Sequence, residues 1–222
     1  MCHPACIDFV HRQLRREDVE EREVLEVGAL NLNGSVRSMV CALKPSRYIG
    51  VDLEPGPCVD EICDAAELVQ RFGPSSFDLL ISTEMLEHVR DWRRVVNEFK
   101  QVLRPGGLLL ITTRSLGFPY HPFPDDFWRF ECSDLQTIFS DFECDVVESD
   151  PSAPGAFLKA RKPANFVMNA LDSHALFSMI IHRRLVDLTD ARLAVFRTRG
   201  KCQQIIRAPE RLIRRWRRKL WS

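Results

Sequence analysis

A chain of 222 residues accommodates one α/β domain with an appendage, and its 45% hydrophobic and 28% charged composition is ordinary for a soluble globular protein. No run of 18 apolar residues calls for a transmembrane helix, and the N-terminus lacks the apolar core of a signal peptide, so a cytoplasmic setting with reduced thiols is expected for the eight cysteines. The 31 basic and 31 acidic residues balance overall but not locally: residues 197–222 carry ten Lys or Arg against one acid, Glu210, so a tail of charge +9 follows a body of charge −9.

Residues 5–20 read as a charged amphipathic helix leading into the domain, and 23–27 as a short apolar strand that ends in a turn at Gly28. Residues 35–43 have helical character and stop at Pro45; 48–52 form a second strand ending in Asp52, a short strand precedes Asp64, and 77–82 form a further clear strand. Asp91 is placed to cap a helix in which Trp92, Val95, Val96, Phe99 and Leu103 recur at helical spacing, before Pro105 and the glycines at 106 and 107 end it. The strand at 108–113 is apolar throughout. Strands without alternation, separated by helices, indicate a parallel sheet covered on both faces. Residues 144–148 and 156–160, joined by a Pro/Gly turn, read as a hairpin closing one sheet edge. Past Pro163 the chain is expected to be helical over 166–196, with a basic amphipathic helix at 208–222, so the domains divide as 1–22, 23–163 and 164–222. There is no internal repeat.

A glycine directly after a parallel strand admits a ligand where a side chain would clash. Asp52 ends the next strand 26 residues beyond Glu26, a position from which a carboxylate accepts hydrogen bonds from two vicinal ribose hydroxyls. Asp64 is placed to accept from an exocyclic amine such as that of adenine. The cysteines lack zinc-ribbon spacing, and no metal site is expected, even where Cys2, His3 and Cys6 cluster.

The ordered segments V-L-E-V-G, Y-I-G-V-D, C-D-A, F-D-L-L-I-S-T-E-M-L-E-H-V and L-R-P-G-G-L-L-L-I-T-T resemble the class I methyltransferases that use S-adenosyl-L-methionine, in the branch that includes quinone- and sterol-type small-molecule enzymes. The resemblance covers about residues 23–160 and implies a Rossmann-like, mostly parallel seven-stranded sheet closed by an antiparallel hairpin, followed here by the helical extension. It also implies a cofactor site at Glu26, Gly28, Gly34, Asp52, Leu53, Asp64, Ala65 and Ser82, with Glu26 and Gly28 at the methionyl part, Asp52 at the ribose, Asp64 at the adenine amine and Ser82 at the sulfonium end. The family's first turn has glycines two and four residues beyond the first, where this chain has Leu30 and Leu32; a longer turn through Asn31, Asn33 and Gly34 takes their place. The resemblance sets His88 near the mouth of the active site, the alternative being a helix-start histidine packed on the fold.

Residues 115–130, directly after the strand at 108–113, interleave aromatics with His121, Asp125, Asp126 and Arg129, a composition that suits a pocket wall or a plug of the sheet edge. If the methyl acceptor is a hydroxyl, His121 is the first candidate for the base and Asp125 or Asp126 the second. Arg129 is placed to fork onto an anionic substrate, with Tyr120 and Trp128 alongside. A small-molecule, glycan or lipid-linked acceptor methylated at oxygen is the leading expectation. A nucleic-acid methyltransferase clamped by the tail and a catalytically silent cofactor-binding module are the alternatives. For the tail itself, a peripheral membrane contact competes with docking on the acidic body.

Overall fold

The computed structural model describes residues 3–198; the basic helix expected at 208–222 and Cys2 lie outside the described residues. In chain order the strands are β1 (Glu23–Val27), β2 (Arg47–Asp52), β3 (Glu61–Ile62), β4 (Phe77–Thr83), β5 (Leu103–Arg114), β6 (Trp128–Arg129), β7 (Glu143–Ser149), β8 (Gly155–Arg161), β9 (Leu176–Ser178) and β10 (Arg183–Leu185). Seven of them make the main sheet in the order β3-β2-β1-β4-β5-β8-β7. The first five are parallel, β8 runs antiparallel to β5, and β7 pairs antiparallel with β8, so the edge hairpin forms as the Pro/Gly turn implied. Chain order reverses between β1 and β4, and ligands of open α/β sheets bind outside the carboxyl ends at such a switch point.

The helices are α1 (Pro4–Gln13), α2 (Arg16–Val19), α3 (Arg37–Ala42), α4 (Leu68–Phe72), α5 (Trp92–Val102) and α6 (Cys132–Ile138). Apolar strands split their residues between two covered faces: Leu79 and Ile81 of β4 pack with Phe9 and Val10 of α1 and Val40 of α3, while Phe77 and Leu80 pack with Trp92, Val95, Val96 and Phe99 of α5. Asp91 caps α5 as expected, its carboxylate accepting from Arg94 N at 3.4 Å. The single N-terminal helix expected over 5–20 is instead two helices with Leu14 extended between them. Lys159 takes the Gln13 carbonyl at 2.9 Å and Asp18 takes the Arg15 amide at 3.1 Å, so side chains satisfy the backbone at the break.

The helix expected across 166–196 is not formed. Only residues 190–198 are helical there; β9 and β10 join β6 in a small antiparallel sheet, and the rest is an irregular strap. Arginines of and beside α5 hold the strap by its carbonyls: Arg93 donates to Leu171 O at 2.8 Å, His174 O at 2.5 Å and Val186 O at 2.9 Å, and Arg90 to Leu188 O at 2.7 Å. These donors replace the hydrogen bonds a helix would have made internally. Leu171, Leu176, Ile180, Leu185, Leu188 and Leu193 enter the same core as the α5 face, which is why the segment is oily. Among the described residues no helix is long and apolar enough to cross a membrane.

Candidate active site

At the carboxyl edge, β1, β2 and β3 lie side by side, with Glu26 opposite Gly50 and Asp52 opposite Ile62. Gly28 adopts φ +80°, and a Cβ there would stand 2.8 Å from the Met85 side chain, so the turn requires glycine. The amides of Gly28 and Ala29 both donate to Val51 O at 3.0 Å, folding the turn onto β2. The longer loop closes on itself where Asn31 Oδ1 accepts from Gly34 N at 3.0 Å. Asp52 is half-buried and accepts Leu30 N at 3.1 Å on one oxygen and Glu54 N at 3.3 Å on the other, which fixes the carboxylate while leaving each oxygen a further lone pair. Asp64, exposed, caps the short turn at 65–67 through Ala66 N at 2.8 Å, Ala65 is half-buried, and Leu53 is 62% exposed beside Asp52. Ser82 Oγ and Thr112 Oγ1, near the ends of β4 and β5, are buried without hydrogen-bond partners. A tight glycine turn at Gly28, acids following β2 and β3 and orphaned hydroxyls on β4 and β5 fit an adenosyl sulfonium.

Glu26, at the end of β1, is 2% exposed, its Oε2 accepting from Tyr48 Oη at 2.5 Å. Burial pushes its carboxyl up to about 7, against the opposing pull of Tyr48 and Arg37. The folded chain therefore keeps this proton to about pH 7, whereas the unfolded chain releases it near 4.5; stability from this group is complete below pH 4.5 and is lost as pH rises through 7. Glu26→Gln is expected to match the wild type in denaturant melts at pH 4.5 and to exceed it at pH 8 by up to about 3 kcal/mol.

The second cluster lies beyond β4 and β5. Glu84, at φ +54°, pairs with Arg114, which also meets Asp150 at 3.1 Å, all buried. Glu87 is fully buried; its Oε2 accepts from Thr113 Oγ1 at 2.8 Å. His121 lies between two carboxylates, with Nδ1 3.0 Å from Asp126 Oδ2 and Nε2 3.7 Å from Glu87 Oε1. Burial lowers the His121 pKa, but Asp126 and Glu87 outweigh it and push it up to about 9. His88 meets His121 edge to face, ring centroids 4.8 Å apart, and its Nδ1 is 2.7 Å from Asp125 O. The loop thus brings His88, His121, Asp125 and Asp126 together.

Three expectations for the loop are corrected. Arg129 is fully buried, and its fork goes to Asp126, at 2.5 and 2.6 Å, and to the carbonyls of Phe118, Pro119 and Trp128. Trp128 is a core residue with Nε1 on Arg90 O at 3.0 Å. Asp126 is held to about 2: burial opposes ionisation, but Arg129 and His121 prevail, and its carboxylate braces the loop through Arg129 and the His121 amide. Asp125 pairs with Arg197 at 2.5 Å, and Tyr120 stays at the rim, 38% exposed, against Phe196. Glu84, Glu87, Thr113 and Arg114 were not anticipated; E-M-L-E-H carried the signal, since two acids entering an apolar helical turn need buried partners. A polar hollow of 240 Å³ among Asp18, Arg22, Asp78 and Arg161 lies at the opposite, amino edge of the sheet, away from the strand tips.

Residues 25–111 match a family described as a methyltransferase domain. The chain is 29% identical over 124 residues to the ubiquinone biosynthesis O-methyltransferase of Chromobacterium violaceum, covering 50% of this chain and 51% of that protein. It is 32% identical over 105 residues to its counterpart in Idiomarina loihiensis, covering 41% and 42%. The chain thus spans about half the length of the relatives it matches. An S-adenosylmethionine dependent methyltransferase from Mesorhizobium loti superposes with TM-score 0.55 at 18% identity, covering 71% of this chain and 98% of that one. The 1,6-didemethyltoxoflavin-N1-methyltransferase of Burkholderia thailandensis, solved with bound 1,6-didemethyltoxoflavin and S-adenosylhomocysteine, gives 0.57 at 18%, covering 72% and 79%. The fold is shared with these enzymes.

Proposed function

We propose that this chain, a class I methyltransferase by domain and fold, binds S-adenosyl-L-methionine and methylates an oxygen of a small-molecule acceptor. The observation that carries the reading is the fixed Asp52 carboxylate beside the Gly28 cradle at the switch point of the sheet. In it, Asp52 holds the ribose hydroxyls, Leu53 and Ala65 flank the adenine, Asp64 receives its amine, Gly34 closes the loop, and Ser82 lies at the sulfonium end. The cofactor supplies an already activated methyl group. The chain's own work is then to align the acceptor and exclude water.

Residues 115–130 wall the acceptor side. Leu116, Tyr120 and Phe123 are exposed on this loop, and behind them His88 and His121 offer polar contact. A histidine pushed up to about 9 arrives protonated at neutral pH, so His121 serves the acceptor as a hydrogen-bond donor in the unliganded chain rather than as a ready base. The similarity to ubiquinone biosynthesis O-methyltransferases supports oxygen as the atom methylated. The basic residues of 197–222 suit an anionic lipid surface that brings the tail to a lipid-linked acceptor. Incubation of the full chain with methyl-labelled S-adenosylmethionine and a panel of phenolic and alcoholic acceptors is expected to give labelled methyl ethers. Labelled product appearing only on amines or nucleic acid contradicts the reading.

A further inference from the structure

We infer that Glu87, His88 and His121 form a binding site for one divalent transition-metal ion, of the zinc or cobalt kind, at the acceptor end of the crevice. One ligand atom from each of the three lies within 4.8 Å of the other two. Two imidazoles and one carboxylate make a donor set that suits borderline divalent metals and leaves coordination positions open for a further oxygen ligand.

The arrangement around the three residues is that of a built site. In each, one polar atom is held from behind and another is left over. Glu87 anchors Oε2 on the Thr113 hydroxyl, while Oε1, fully buried, has no hydrogen-bond partner and faces His121 Nε2. His88 places Nδ1 on the Asp125 carbonyl, which fixes the Nδ1–H tautomer and leaves Nε2 as the basic nitrogen. His121 is held by its backbone amide, which donates to Asp126 Oδ2 at 2.9 Å, with its ring Nδ1 3.0 Å from the same oxygen and Arg129 clamping that carboxylate in turn. His88, Asp125, Asp126 and His121 thus cooperate across the turn at 86–88 and the aromatic loop.

Charge points the same way. Glu84 and Asp150 face Arg114, and Asp126 faces Arg129, but among the described residues Glu87 has no Lys or Arg within ion-pair distance. Its nearest charge partner is the His121 ring, and a cation bound between Glu87 and the two rings would compensate the buried carboxylate in that ring's stead. Tetrahedral ligation at about 2.0–2.2 Å brings ligand atoms to roughly 3.3 Å from one another. Glu87 Oε1 and His121 Nε2 are 3.7 Å apart and the three ligand atoms lie within 4.8 Å of one another, so ligation draws the loop and the turn at 86–88 together. An acceptor hydroxyl in an open position would give up its proton more readily. That use rests on the methyl-transfer reading; the ion site itself rests on the geometry alone.

The test uses the full chain, stripped with a chelator and titrated with Co²⁺ while visible absorption is followed, with S-adenosylhomocysteine titrated by calorimetry in parallel. One equivalent of Co²⁺ is expected, without sulfur-to-cobalt charge transfer, and displaced by Zn²⁺. His121→Ala and Glu87→Gln should each weaken it at least tenfold; because Glu87 is buried, His121→Asn on the loop provides a variant whose fold is checked by its melting temperature. Absence of stoichiometric Co²⁺ uptake, uptake through thiolates, or uptake unchanged in folded His121 variants overturns the site. Co²⁺ binding without S-adenosylhomocysteine binding keeps the site and discards methyl transfer, and the converse discards the site alone.

Discussion

Replacing Asp52 with Ala is expected to weaken S-adenosylhomocysteine binding by two to three orders of magnitude. A carboxylate that accepts from two vicinal hydroxyls makes two charge-assisted hydrogen bonds, each contributing about 1.5–3 kcal/mol, and each 1.4 kcal/mol is tenfold in affinity. The side chain is already positioned by Leu30 N and Glu54 N, so little ordering is needed on binding. Asp52→Asn retains one acceptor and should fall between, near tenfold. Asp52 also braces the turn after β1, so calorimetry is read beside the melting temperature: a loss of affinity with a small change in melting assigns the effect to the ligand. Affinity unchanged in Asp52→Ala removes this residue from the site.

The largest effect on stability is expected from the Asp126–Arg129 pair. Both side chains are fully buried, and Arg129 bonds two carboxylate oxygens and three carbonyls. Arg129→Met strands the Asp126 charge in a low dielectric, a change that costs about 3–5 kcal/mol where one partner of a buried pair is removed. For a chain of this size that lowers the melting temperature by roughly 10 °C. Arg129→Lys is not conservative here, because a single ammonium cannot span the fork. Calorimetric melting of the variants decides the matter: a substrate-anchoring Arg129 would leave the melting temperature unchanged and raise KM.

Much of the sheet was legible because its strands are short runs of buried apolar residues ended by glycine or acid. β1, β2, β4, the core of β5 and the edge hairpin fall within a residue or a few of their expected places, and the acids at the tips of β1 and β2 occupy neighbouring strands. What could not be read was set by partners distant in sequence. The strap after 163 is as apolar as a helix, yet its carbonyls are claimed by Arg90 and Arg93, some 80 to 100 residues earlier. Glu26 was recognised at its strand tip, but its bond to Tyr48, from the next strand, depends on the pairing of the two strands. Arg129 looked like an anchor because a loop aromatic cluster resembles a pocket wall; three residues away, Asp126 takes its fork inward. Glu87 stands in the E-M-L-E-H segment, whose paired acids call for buried partners, but that its neighbour is His121 is set by the fold and not by the segment.

The central claim is tested most directly by a crystal structure of the chain with S-adenosylhomocysteine. The ribose is expected on Asp52, the adenine between Leu53 and Ala65 near Asp64, and the sulfur near Gly28 and Ser82. A ligand seated at the amino edge among Asp18, Arg22 and Arg161, or anywhere away from the tips of β1 and β2, would contradict the account.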